Sequence, residues 1–160
     1  MSFQPMNRLS ENVAFVDLTD ADKKAAWAAW AVIATALPAI IESFYEHLRS
    51  IDQDYPLHGI DMPRLKAQQF AYWEMIFTGN LAGAAELQNK RIVAKHKARD
   101  IPLSTYLGSY GWFGTHFMQA VTSTPLPDGV SVGAAMTAIH KLIVLDMMTA
   151  SDAYDSFAVL

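Results

Sequence analysis

"RIVAKHKARDIPLSTYLGSY" (residues 91–110) sets one histidine, His96, among Arg91, Lys95, Lys97 and Arg99 near the end of a helical stretch. Pro102 follows, then Tyr106 and Tyr110, the first of them ten residues beyond the histidine. The pattern reads as one helix from about Leu81 to Arg99, a break, and a second helix opened by Pro102, since proline is tolerated in a first turn. In that second helix Leu103, Tyr106, Leu107, Tyr110, Phe113 and Phe117 recur at three and four residues, the mark of one buried face. A lone helical histidine is ordinarily solvent-facing or hydrogen-bonded. Here the next helix brings a tyrosine soon after the turn, and a hydroxyl or carbonyl beside an imidazole is what a ligand histidine needs to fix its orientation and basicity. Both readings stand on this stretch alone.

Working outward, the rest of the chain also reads as helix. Period-two alternation and Asn-Gly or Asp-Gly hairpin pairs are missing. Thr19 or Asp20 can cap a first helix, and Pro38 is expected to open a second one through "AIIESFYEHLRS". "IDQDYPLHGIDMP" (51–63) is a connector. From Pro63 a helix carries Leu65, Gln68, Gln69, Tyr72 and Ile76 on one inward stripe, up to the Thr78-Gly79-Asn80 break. "TSTPLPDG" separates the tyrosine helix from a last helix, roughly Val130 to Phe157, whose apolar face is broad enough for both an internal core and a partner helix. Gly108, Gly111 and Gly114 recur every third residue within a helix, which calls for the close approach of a crossing helix.

Composition narrows the function. A chain of 160 residues, 52% apolar and 18% charged, fits one globular domain with a substantial core. A net charge of -4 argues against nucleic-acid binding, which needs a basic face. With no cysteine there is no disulfide, thiolate metal site or cysteine nucleophile, and a reducing cytoplasm is the simplest home. The acidic start lacks the positive and apolar regions of an export signal. Residues 25–41, "AAWAAWAVIATALPAII", approach the lower length of a membrane span, but their alanine content and Pro38 favour buried soluble helix. None of the five histidines has a glutamate three residues before it, so the di-iron bundle motif is missing, as are His-Glu-x-x-His, the Walker loop and Gly-x-Gly-x-x-Gly.

Other polar groups sit where partners are needed. Tyr45 lies beside Phe44 on the apolar side of an early helix, and a buried tyrosine or glutamine requires a hydrogen-bond partner. Such a tyrosine is either a core aromatic bonded to a backbone carbonyl or a donor to something bound. Gln68 is either such a donor or part of a solvated helix face.

Three segments in order, "ESFYEHL", "PRLKAQQFAYWEMIFTG" and "KRIVAKHKARDIPLSTYLGSY", resemble the globin domains of globin-coupled sensors and their single-domain and protoglobin relatives. "LDMMTASDAY" is similar to the closing helix of the sensor members, so the likeness covers nearly the whole chain. It implies an all-α globin fold, a helical sandwich of about six to eight helices with a short or absent D helix. It divides the chain into an N-terminal extension (1–18) and a haem-binding sensor domain (19–160), complete or the first module of a longer signalling protein. His96 would be the axial ligand of haem b, Tyr45 the distal donor, Gln68 a second donor, and Leu65, Tyr72 and Ile92 pocket residues. Tyr106 would stand behind the histidine and respond to ligand binding. Two positions depart from the family pattern: Asp100 stands where a glycine is expected and Thr105 where an aromatic is expected.

The resemblance further implies a non-enzymatic dioxygen sensor, also open to carbon monoxide and nitric oxide. It implies a homodimer through the last two helices, a signal passed to an output domain, and neither nucleic acid nor membrane insertion. The cationic cluster around His96 reads as a solvated face, with pairing to haem propionates or an output domain as the other option. His116 and His140 read as core or dimer-contact histidines, and His47 and His58 as superficial. Two other functions stay open: a storage or nitric-oxide globin without signalling, and a haem-free interaction module in which His96 is ordinary.

Overall fold

The computed structural model describes residues 5–52 and 57–158. These residues contain helices and no strand, as expected. Helix α1 is Pro5–Phe15, α2 Asp20–Ile51 and α3 Met62–Phe77. A continuous helical rod then runs through α4 (Leu81–Leu87), a π-helical turn (Gln88–Ile92) and α5 (Val93–Ala98). Helices α6 (Leu103–Ser123) and α7 (Val132–Ala158) close the chain, separated by a short 3-10 turn at Pro127–Gly129. Of the 51–63 connector, residues 53–56 lie outside the described residues.

The starts of α2, α3 and α4 are written in local sequence. Thr19 Oγ1 accepts from the Asp22 amide at 3.1 Å while Asp22 Oδ2 accepts from the Thr19 amide at 2.9 Å, a complete capping box. Asp22 also receives Lys141 Nζ of α7 at 2.7 Å, so the cap of one helix is tied to another; that hydrogen bond, then the Thr19 amide, hold its carboxyl below its ordinary pKa. Asp61 caps α3 through the Arg64 amide and Asn80 caps α4 through the Gly83 amide. Pro38 does not open a new helix. It sits inside α2, exposed, where it lacks an N–H to give to the preceding turn, and burial of Ile33 and Leu37 before it and Ile40, Ile41, Phe44 and Tyr45 after it carries the helix across.

The core lies where α2, α6 and α7 meet, with α3 laid on α2. Trp73 is its aromatic centre: its ring stands 4.9 Å from that of Phe117, 5.4 Å from Phe113 and 6.0 Å from Tyr110. The breadth of the apolar face on α7 is used within the chain, because α1, α2, α5, the π turn and α6 all pack on it. Arg8 and Asn12 of α1 each reach Asp152 of α7 at 3.0 Å. Of the three spaced glycines only Gly114 faces a crossing side chain, with Ile143 3.7 Å from where its Cβ would stand; Gly108 and Gly111 face open space. Helices α2 and α7 are long and apolar enough to cross a membrane, yet roughly half of each apolar stretch is buried inside this fold.

Candidate functional site

The rod from Leu81 to Ala98 delivers His96 near its last turn. The rod ends as a Schellman motif: the Ile101 amide donates to the His96 carbonyl at 3.1 Å and the Asp100 amide to Lys97 O at 3.0 Å. Asp100 occupies the left-handed position with φ 55°, which explains how aspartate stands where glycine is usual. The histidine's backbone is therefore held by the cap.

Its side chain is held as well. Nδ1 lies 2.7 Å from the Ile92 carbonyl, and a carbonyl only accepts, so Nδ1 carries the proton. Burial keeps the imidazole pKa below its ordinary value, only partly offset by that hydrogen bond, and so favours the neutral ring. A neutral ring protonated at Nδ1 leaves its lone pair on Nε2, which has no partner among the described residues. Against the ring packs Tyr106, centroids 4.2 Å apart.

Behind Tyr106 lies a polar cluster that no local pattern announces. The π turn brings Gln88 to a fully buried position. Gln88 Nε2 donates to the hydroxyls of Tyr72 at 2.9 Å and Tyr110 at 2.5 Å, and Oε1 accepts from Tyr106 at 2.8 Å. Tyr72 donates in turn to Asp146 Oδ1 of α7 at 2.6 Å, while Asp146 Oδ2 is buried without a hydrogen-bond partner. Burial drives the Asp146 pKa up to about 6 against the opposing hydrogen bond from Tyr72, and burial also holds Tyr72, Tyr106 and Tyr110 above the ordinary tyrosine value.

On α2, Tyr45 is buried, its ring edge-on to Phe44 at 5.2 Å, and its hydroxyl donates to Gln69 Oε1 of α3 at 3.1 Å. Gln68 is exposed, so the placement of both glutamines on the inward stripe is corrected: Gln69 alone turns toward Tyr45. Leu65 and Ile92 are half-buried. The structure thus gathers Tyr72, Tyr106 and Tyr110 around Gln88, sets His96 against Tyr106, and pairs Tyr45 with Gln69 as a second polar group. Among the described residues α3 packs chiefly on α2 and α4, whereas α5 packs on the π turn and α7. Among the described residues α3 and α5 make no contact of comparable extent with each other.

The cationic residues near His96 are partly engaged. Lys90 pairs with Glu86, Lys97 donates to the Tyr154 carbonyl at 2.7 Å, and Arg99 reaches the His58 carbonyl at 3.3 Å. His116 bonds the Trp112 carbonyl of its own helix and stacks on the Trp112 ring; His47, His58 and His140 are exposed. A groove of about 770 Å³ between α2 and α6, lined by Val32, Ile40, His116 and Leu126 among others, includes none of the expected site residues. This groove and the cluster around His96 are separate.

Gln88 and Asp146 were not anticipated from sequence. Asp146 carries the one available signal, an acid within the otherwise apolar run "LIVLDMM". Gln88 carries none, because its burial depends on a π turn. The donor set fits a haem iron: a neutral, oriented imidazole with a free Nε2, a tyrosine behind it, and a buried hydroxyl donor on another helix. Residues 6–156 match the Protoglobin family model. No curated protein matches the chain.

Proposed function

This chain belongs to the Protoglobin family, and from that premise we propose that it is a haem-binding gas sensor with His96 as the axial ligand. The observation that carries the proposal is the Nδ1 contact of His96 with Ile92 O, which fixes the tautomer that presents Nε2 to a metal. Haem b, when bound, supplies the ferrous iron at which dioxygen, carbon monoxide or nitric oxide is taken up. His96 would hold the iron through Nε2, Tyr106 packs against the imidazole and would brace it, and Leu65, Tyr72 and Ile92 would belong to the walls. Tyr45, whose hydroxyl now donates to Gln69, would be the distal donor, able to give a hydrogen bond to a ligand that carries partial negative charge.

A gas shifts a conformational balance only by binding one arrangement better than another. In this proposal the two arrangements differ in the Tyr45 hydroxyl and in the packing of Tyr106 between His96 and α7. The change passes to α6 and α7, to a second copy of the chain and to an output domain, in the cytoplasm. The open face at Gly108 and Gly111 supports the close approach of a second copy there. Catalysis, if any, resides in the output domain.

Visible absorption spectra of the haem-reconstituted chain in ferric, deoxy ferrous, dioxygen and carbon monoxide forms test the proposal beside His96→Ala. A Soret band that moves with each gas and is lost in the variant is the expected result. Full haem retention in His96→Ala removes the axial assignment, and absence of stoichiometric uptake by the unaltered chain leaves a haem-free helical module. Unchanged oligomeric state on gas binding points instead to storage or nitric-oxide chemistry.

A further inference from the structure

The cluster behind His96 has a direction. A charged carboxylate only accepts, so Tyr72 spends its proton on Asp146 Oδ1. The Tyr72 oxygen must then accept, which turns the Gln88 amide so that Nε2 faces Tyr72 and Tyr110. The amide oxygen is left for Tyr106, which donates to it, and Tyr110 gives its own proton to the Tyr106 oxygen 3.2 Å away. One acid on α7 thus sets the orientation of an amide in the π turn and the role of a tyrosine whose ring lies 4.2 Å from that of His96. The cost makes the acid informative. A buried carboxylate oxygen with no partner is unfavourable, and an apolar residue would serve α7 better as packing alone.

We propose that Asp146 is a positioning residue for His96: acting through Tyr72, Gln88 and Tyr106, it fixes the imidazole and links the axial ligand to the last helix. This rests on His96 being the haem ligand. Asn at 146 both donates and accepts, so the chain of hydrogen bonds no longer has an imposed direction. The Gln88 amide is then free to turn over, and Tyr106 to accept where it had donated. Tyr72→Phe cuts the same link while keeping the ring in place, and serves where Asp146→Asn does not fold.

The test uses the full chain with two measurements. In the haem-loaded ferrous protein, resonance Raman reads the iron–histidine stretch; in the haem-free protein, the nitrogen-15 shifts of the His96 ring read the same positioning without iron. Asp146→Asn is expected to bind haem with unaltered stoichiometry, and both Asp146→Asn and Tyr72→Phe are expected to move the His96 nitrogen signals of the haem-free chain, to move the iron–histidine stretch where haem is bound, and to have no further effect in a Tyr106→Phe background. Signals identical to those of the unaltered chain, or shifts that persist undiminished with Tyr106→Phe, overturn the proposal. If the unaltered chain takes up no haem, the gas-binding reading alone fails, and the His96 nitrogen signals still decide whether Asp146 positions that ring.

Discussion

His96 and Tyr45 show how much a single residue's meaning depends on its partner. The histidine's spacing to Tyr106 was legible at once, because both positions follow from helical periodicity across a short turn. The distal pair was not. Successive side chains on a helix point about 100° apart, so a stripe read from sequence blurs Gln68 with Gln69, and only the hydrogen bond from Tyr45 separates them. Gln69→Leu is therefore expected to alter the dioxygen dissociation rate measured by stopped flow, and Gln68→Leu to leave it unchanged. Tyr45→Phe should retain haem and speed dissociation by about tenfold to a hundredfold, the equivalent of one hydrogen bond to a charged or polarised group; an unchanged rate removes Tyr45 from the distal role. Asp100 offers a control away from the pocket. Its φ of 55° suits glycine better, so Asp100→Gly should raise stability by about 0.5–1 kcal/mol in a denaturant melt.

At the scale of elements, helix α2 separates local from long-range causes. Its start needs only Thr19 and Asp22, three residues apart, and the cap was visible in the sequence. Its length was not, because proline argues for a boundary wherever packing does not overrule it. Pro38 is exposed, so replacing it leaves no cavity and restores a backbone donor. Pro38→Ala is expected to stabilise the chain by about 1–2 kcal/mol, the gain in helix propensity less the lost restriction of the unfolded chain. A lower melting temperature would mean that the fold needs the bend at this position. The π turn at Gln88–Ile92 is the opposite case. Such turns recur at functional sites, and this one exists together with the three tyrosines that receive Gln88, which come from two other helices.

For the whole molecule, Asp146 couples pH to stability. Its folded pKa of about 6 lies above the ordinary 3.8, so the folded chain holds the proton more tightly than the unfolded chain does. The associated stability is fully present below about pH 4 and is lost as pH rises through about 6. The groups facing Asp146 from other elements are the Tyr72 hydroxyl of α3, the Tyr106 and Tyr110 hydroxyls of α6, and the Gln88 amide, none of which is charged in this range. Denaturation at pH 4.5 and at pH 7.5 should therefore show Asp146→Asn gaining on the unaltered chain at the higher pH, by about 2 kcal/mol, the part of the shift that this window spans. A constant difference across that window would place the Asp146 pKa near its ordinary value.

By itself the sequence determined the all-helical class, the order of the helical segments from Thr19 onward, the chain's likeness to sensor globins and the His96–Tyr106 spacing, but not helix α1 at Pro5–Phe15. Each of these depends on residues a few turns apart, where periodicity and caps act directly. Only the tertiary structure decided the continuity of α2 through Pro38, the choice of Gln69 over Gln68, and the meeting of Gln88, Tyr72, Tyr110 and Asp146. Those outcomes join residues as far as 74 positions apart, and a buried polar group takes its meaning from partners that distant parts of the chain bring to it.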